Sequence, residues 1–165
     1  IWLLRNIKKT TEQKRLHLIV LSILVVYLAG VFVVTIVLRG YDNETKVNLI
    51  PFRSLYLLIY ELVHSASTWG IKNIPHELTF MVKGLSNFFG NILLLLPLGY
   101  LAPVLKKSID KWWKSGLLGF CLSMIIELIQ LIAYRGFFDL DDVVLNAGGC
   151  LIGWFCYKKW IEACT

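Results

Sequence analysis

Glu127 to Asn146 reads E-L-I-Q-L-I-A-Y-R-G-F-F-D-L-D-D-V-V-L-N. The stretch begins inside one apolar run that is long enough to cross a bilayer and ends inside a second one. Its 20 residues hold seven polar side chains that matter here: Glu127, Gln130, Arg135, Asp139, Asp141, Asp142 and Asn146. Ionisable groups at membrane depth are costly, so they usually face the interior of a helix bundle or a wet cavity. The stretch therefore predicts a polar cluster carried by two membrane helices.

The composition of the whole chain agrees with a membrane protein. Of its 165 residues, 57% are hydrophobic and 17% are charged, whereas soluble domains are roughly 45–50% apolar and about 25% charged. The net charge of +6 does not indicate nucleic-acid binding, because the basic residues flank the apolar runs and form no patch interleaved with aromatics.

Apolar runs divide the chain into predicted spans. We expect an all-α integral membrane bundle of four transmembrane helices, over about 16–38, 87–105, 115–134 and 142–160. Residues 1–15 form a basic cytoplasmic segment ahead of this domain, which covers 16–160. Between the first and second spans, residues 54–63 have helical spacing but are too short to cross, which indicates an interfacial or re-entrant helix. A further short helix is predicted over about 76–85.

Two of the predicted spans have faces suited to close packing. Small residues and then polar ones follow helical spacing down one face of the third span: Gly116, Gly119, Ser123, Glu127 and Gln130. In the fourth span Gly149 and Gly153 form a small-xxx-small pair that lets a neighbouring backbone approach. Asp139 or Asp141 is expected to cap the first turn of that helix.

Charge predicts the orientation. The N-terminal segment, the 106–114 loop and the C-terminal end together hold eleven Lys and Arg residues and three acidic residues. The 39–86 connection and the 135–142 hairpin together hold six Lys and Arg residues and seven acidic residues. The positive-inside rule then places both termini in the cytoplasm. The polar residues of four separate segments converge on the outer half of the bundle as a result.

These converging residues carry a resemblance to a known family. The chain resembles the VanZ-like bacterial membrane proteins through four elements in order. They are N-x-x-P-F at Asn48, Pro51 and Phe52; N-x-x-x-F-x-P-x-G at Asn91, Pro97 and Gly99, with Leu95 in place of Phe; E-x-x-Q at Glu127 and Gln130; and D-x-x-D-V-x-x-N-x-x-G at Asp139, Asp142, Val143, Asn146 and Gly149. The resemblance covers about residues 45–157. It implies a bacterial plasma-membrane protein linked to lower glycopeptide (teicoplanin-type) susceptibility.

The candidate polar pocket binds a lipid in our leading interpretation. That lipid is a lipid-linked cell-wall precursor or an anionic lipid, and Arg135 contacts its phosphate. The pocket residues are Asn48, Asn91, Glu127, Gln130, Arg135, Asp139, Asp142 and Asn146. A divalent cation shared by Asp139, Asp142 and Asn146 is one option, although the sequence assigns no cofactor.

Three other interpretations stay open. An enzyme would modify the lipid with Glu127 or Asp142 as general acid/base. A transporter subunit is less favoured, because the two halves show no internal repeat. In the structural alternative, the polar groups only hydrogen-bond to one another between helices.

Overall fold

The computed structural model describes residues 2–41, 47–68 and 74–164, and their regular structure is almost entirely helical. Five α-helices, one π-helical segment and two short strands occur in the order α1 (Trp2–Phe32), the π-helix (Val33–Val37), β1 (Val47–Asn48), α2 (Arg53–Thr68), α3 (Ile74–Leu105), α4 (Trp112–Ile132), β2 (Phe138–Asp139) and α5 (Leu140–Cys164). The all-α prediction is confirmed.

Within the described residues, three helical segments are long and apolar enough to cross a membrane. They are Thr11–Val37, Met81–Leu105 and Trp112–Ile132, and they correspond to the first three predicted spans. Helix α5 is not among them, and it carries Asp141 and Asp142 in its first turn. A fourth membrane crossing by α5 therefore stays a prediction.

Helix boundaries differ from the predicted ones in two places. Helix α1 begins at Trp2, so the basic segment continues directly into the first span. Helix α3 begins at Ile74, so the short helix expected at 76–85 and the second span are one helix. Gly84 lies within this helix, where the Leu58 side chain of α2 packs closely against it. Residues 42–46 and 69–73, both in the connection between the first two predicted spans, lie outside the described residues.

Close contact between α3 and α5 is made possible by glycines on both helices. A Cβ at Gly149 would collide with the carbonyl oxygen of Ile92, and one at Gly153 with that of Leu96. From the α3 side, a Cβ at Gly99 would collide with the carbonyl oxygen of Cys150. The predicted role of the Gly149–Gly153 pair is confirmed. Since α5 also packs along α4, it is the central helix of the bundle.

The end of the π-helix that continues α1 is tied to the connection between α4 and α5. Arg135 Nη1 donates hydrogen bonds to the carbonyl oxygens of Val37 (3.3 Å) and Arg39 (2.9 Å). Nearby, β1 and β2 form a parallel bridge that pairs Val47 with Phe138 and Asn48 with Asp139. These contacts bring the segment after α1 against the start of α5, which is where the polar residues meet.

Candidate functional site

Helix α4 supplies four of the buried polar side chains: Ser115, Ser123, Glu127 and Gln130. Together with Gly119 and Ile126, they lie on one face of the α-helix. Glu127 is 2% exposed and Gln130 is 1% exposed. Their helical spacing predicted this burial, and the structure agrees.

Asp139 joins three segments of the site. Its backbone N–H donates to Glu127 Oε2 on α4 (3.0 Å). Its own Oδ1 accepts from Asn48 Nδ2 on β1 (3.0 Å) and from the Asp141 N–H (2.9 Å). The last of these bonds is an N-cap for α5, as predicted. The side chain of Asp139 thus fixes the position of β1 and the start of α5, and the backbone N–H of the same residue is bonded to α4.

The first turn of α5 holds two further buried carboxylates. Asp142 is 5% exposed, and its Oδ1 accepts hydrogen bonds from Asn87 Nδ2 (3.1 Å) and Asn91 Nδ2 of α3. Asp141 is 4% exposed, and its Oδ1 accepts from the N–H of Phe52. Phe52 has a φ of 60°, a conformation that a bulky residue rarely adopts. The carboxylates therefore hold both α3 and the turn before α2.

Asn146 lies one turn further along α5 and continues the polar layer towards the bundle centre. Its Nδ2 donates to Ser123 Oγ of α4 (2.7 Å). Its Oδ1 is buried and has no hydrogen-bond partner in the part of the chain that the structure describes. Buried polar atoms are nearly always paired, so this oxygen marks a place where a water or a ligand atom would be favoured.

Arg39 interacts electrostatically with the buried acids, and it is not among the predicted pocket residues. Its Nη1 donates to Gln130 Oε1 (2.9 Å), while Gln130 Nε2 donates to the Thr35 carbonyl (3.0 Å). Electrostatic interactions reach from Arg39 to Glu127 and Asp142. Arg39 thus partly offsets the charge of Glu127 and Asp142.

Arg135 holds the segment that follows α1. Its Nη1 donates to the backbone carbonyls of Val37 and Arg39, and its contact with a lipid phosphate stays a prediction. The signal for Arg39 was its position directly after the apolar run of the first span, where we counted it only as the first residue of the polar 39–86 connection.

The proposed metal ligands lie together but are already engaged. Asp139 and Asp142 each accept hydrogen bonds from asparagine amides, and Asn146 contributes one unpaired oxygen. Among the residues described, no group of three or more His, Cys, Asp or Glu side chains is placed to hold a metal ion. Since Ca²⁺ takes roughly 6–8 oxygen ligands, this set alone would leave its shell incomplete. Metal binding stays a prediction.

An apolar cavity of about 250 Å³ adjoins the acidic turn, the first turn of α5 with Asp141 and Asp142. It lies between α2, α3 and the start of α5, and its lining is Phe52, Leu55, Leu58, Gly84, Asn87, Phe88, Asp141, Val144 and Leu145. Asn87 and Asp141 are the polar members of that lining, and both belong to the hydrogen-bonded network. The site thus has two parts, a polar network and an apolar cavity that share a border.

Of the eight predicted pocket residues, seven belong to this network or its extension: Asn48, Asn91, Glu127, Gln130, Asp139, Asp142 and Asn146. Sequence reasoning missed Arg39, Asn87 and Ser123 as members. Asn87 had been assigned only as the first residue of a span, and Ser123 only as a small packing residue.

Comparison with known proteins gives one family and no individual relative. Neither the curated proteins nor the solved structures contain a match to the chain. The family model described as VanZ/LLP1 matches residues 16–162, nearly the whole chain. The match spans the helices and every residue of the polar network. The chain therefore belongs to the VanZ/LLP1 family of proteins.

Proposed function

We propose that this protein binds a lipid-linked cell-envelope component at the outer face of the bacterial plasma membrane and thereby lowers susceptibility to teicoplanin-type glycopeptides. The observation that carries the proposal is the burial of Glu127 and Asp142 between membrane helices. Carboxylates in such positions are expensive and commonly mark a site for a substrate, an ion or a proton. Interhelical contacts alone would be served by uncharged amides.

Repulsion between buried carboxylates supports a binding role. Arg39 interacts electrostatically with both Glu127 and Asp142. The two carboxylates also repel each other as like charges. A bound group that donates hydrogen bonds or carries positive charge would relieve that repulsion.

Two carboxylate-to-amide variants test whether the charge matters. Glu127→Gln and Asp142→Asn keep shape and hydrogen-bonding capacity and remove only the charge, so as interhelical contacts they should be tolerated, at about 0.6 kcal/mol each. We expect both to insert at wild-type levels and to lose the glycopeptide response. Asp110→Asn is the matched control, since Asp110 is exposed in the α3–α4 loop.

The measurement is glycopeptide susceptibility at matched membrane expression. A wild-type response from both variants would refute the acidic-site proposal and leave a structural bundle. Turnover of a labelled lipid by purified protein would assign an enzyme instead of a binding protein.

The outer location is also part of the proposal and rests on charge. With four crossings, the positive-inside distribution leaves both termini in the cytoplasm. A reporter that works only in the cytoplasm should therefore be active when it is fused after Thr165, and a reporter that works only outside the cell should be inactive. An external reporter signal would show that α5 does not cross, and it would invert the inferred position of the C-terminal end.

A further inference from the structure

Two arginines meet at the ends of the first span and of α4. Arg39 follows the apolar segment Thr11–Val37, and Arg135 follows the apolar segment Trp112–Ile132. Arg135 Nη1 donates to the Arg39 carbonyl (2.9 Å). The Arg39 guanidinium in turn lies against Gly136, where a Cβ would come within 2.8 Å of the arginine Nε. Each arginine side chain therefore reaches the backbone of the other arginine's segment, and Gly136 leaves room for this crossing.

Both guanidinium groups retain hydrogen-bond donors. Arg135 bonds through Nη1 to two backbone carbonyls, and Arg39 bonds through Nη1 to Gln130. In the part of the chain that the structure describes, neither guanidinium has a further hydrogen-bond partner or a direct ion pair. The Nε and Nη2 atoms of an arginine carry N–H donors in a rigid fork. Since both arginines are partly exposed, these forks are available to a ligand.

The pair is suited to an anion with more than two acceptor oxygens. One arginine fork satisfies the two oxygens of a carboxylate in a bidentate pair. A phosphate monoester or a diphosphate has further oxygens, so it can accept hydrogen bonds from both forks at once. Its negative charge also offsets the repulsion between two neighbouring cations. The chemistry of the pair therefore favours a phosphate over a carboxylate.

The buried acids leave this place open to a phosphate. Glu127 is 2% exposed and Asp142 is 5% exposed, whereas the two arginines reach the surface. Arg39 interacts electrostatically with both acids, and Arg135 adds a second positive charge. A hydrogen-bond donor for the carboxylates would come from another part of the same headgroup, such as a hydroxyl group. The anionic and the donating parts of one ligand thus have separate partners.

Aromatic side chains support a position at the depth of lipid headgroups. Tyr41 and Tyr134 lie next to the arginine pair, with their ring centroids 6.1 Å apart. Both are well exposed, and tyrosines are enriched at membrane–water interfaces. In the proposed orientation the pair lies outside the cell, where the positive-inside rule does not favour arginine. The phosphate groups of the bilayer lie at this level, so a lipid reaches the pair without leaving the membrane.

We propose that Arg39 and Arg135 together bind the phosphate or diphosphate group of a membrane lipid through their two forks. The inference rests on the proposed function, and it assigns the anionic part of the lipid-linked component. The hydrocarbon chain of that lipid stays in the bilayer beside the bundle.

Two lipids with the same chains test the phosphate. Dioleoyl phosphatidic acid and dioleoylglycerol differ only in the phosphate group. Delipidated full-length protein is mixed with each lipid, and bound lipid is counted by native mass spectrometry. We expect the wild type to retain the phosphatidic acid at least about tenfold better. An equal concentration of inorganic phosphate should not displace it, and loss of half the bound lipid at that concentration would assign the site to free phosphate and overturn the lipid assignment.

Glutamine variants separate the pair from a general attraction of anions to a basic protein. Arg39→Gln and Arg135→Gln should each reduce the preference for phosphatidic acid to below about threefold. Arg53→Gln is the matched control, because Arg53 is an exposed arginine at the start of α2 and lies outside the pair. It removes the same charge and should keep the wild-type preference.

Lysine variants keep the test decisive if a glutamine variant does not elute as a monodisperse protein. Arg39→Lys and Arg135→Lys keep the positive charge and a donor for the existing hydrogen bonds, but they lose the planar fork. We expect each to lose at least about half of the preference. A wild-type preference in both lysine variants would overturn the assignment to the forks.

The results separate this inference from the proposed function. Equal retention of the two lipids by the wild type, or equal effects of Arg135→Gln and Arg53→Gln, would overturn the phosphate site. Either result leaves the proposed function standing if Glu127→Gln still abolishes the glycopeptide response. Conversely, a selective phosphate site with a normal drug response in Glu127→Gln supports the phosphate inference and refutes the resistance role.

Discussion

Replacing Gly149 by alanine should separate α5 from α3 and destabilise the bundle. A Cβ at this position would lie 2.8 Å from the carbonyl carbon of Ile92 and 3.1 Å from its Cα. Carbon atoms pack best at roughly 3.5–4.0 Å, so the helices must move apart by about 1 Å. The obstacle is backbone, which has no rotamer to change. Overpacking of this kind costs about 1–3 kcal/mol.

Gly148 is the matched control, because it is adjacent and a Cβ there meets nothing within 4 Å. Gly148→Ala should stabilise α5 by at most about 1 kcal/mol through helix propensity. Both variants gain the same helix propensity, so they should differ by the overpacking cost alone, about 1–3 kcal/mol in free energy of unfolding. Titration with a denaturing detergent, followed by circular dichroism, measures this difference. Values within about 0.5 kcal/mol of each other would refute the close-packing argument.

Three further predictions concern the site and its surroundings. Asp139→Ala removes the α5 N-cap and should cost about 0.5–2 kcal/mol of stability, whereas Asp139→Asn keeps a capping oxygen; equal melting temperatures for the two variants in detergent would contradict the cap. Gln130→Leu removes the bonds to Arg39 and to the Thr35 carbonyl, and it should lower the free energy of unfolding by about 1 kcal/mol, at about 0.6 kcal/mol per interhelical bond. An unchanged free energy of unfolding would show that other contacts hold α1 and the π-helix in place. The hydrogen bond from Lys114 holds the pKa of Asp110 below its ordinary value. The pair therefore stabilises the folded protein at pH values above the ordinary carboxyl pKa, and this stabilisation is lost as the pH falls through the lowered pKa. Lys114→Gln should raise the pKa of Asp110 in an NMR titration, and no change would exclude the pairing.

Local patterns predicted the parts of the fold that depend on one helix at a time. Helical spacing placed Glu127 and Gln130 on the buried face of α4, and the small-residue spacing identified Gly149 as a packing position. The cap at Asp139 followed from its place before a helix. Each of these inferences needs only neighbours within about one turn of the chain.

Long-range partners explain what the sequence did not predict. Arg39 is bonded to Gln130, which lies 91 residues away in the sequence. An arginine directly after an apolar run is ordinarily explained by its place at the end of a membrane span. The bridge between Asn48 and Asp139 also spans 91 residues, and two-residue strands leave no alternation to detect. The contacts of Arg135 with the carbonyls of Val37 and Arg39 were not predicted for the same reason, because those residues lie far away in sequence.

The bond between Glu127 and the Asp139 backbone has a consequence for synthesis of the protein. Helix α4 precedes its partner in the chain, so Glu127 leaves the ribosome before the N–H that it accepts from exists. At roughly 5–20 residues per second, the 12 residues between them take about one second to add. During that interval the carboxyl group must be sheltered by the insertion machinery or by water at the bilayer surface. Membrane entry of α4 and completion of its polar contacts are therefore separate events, and the arrival of α5 joins them.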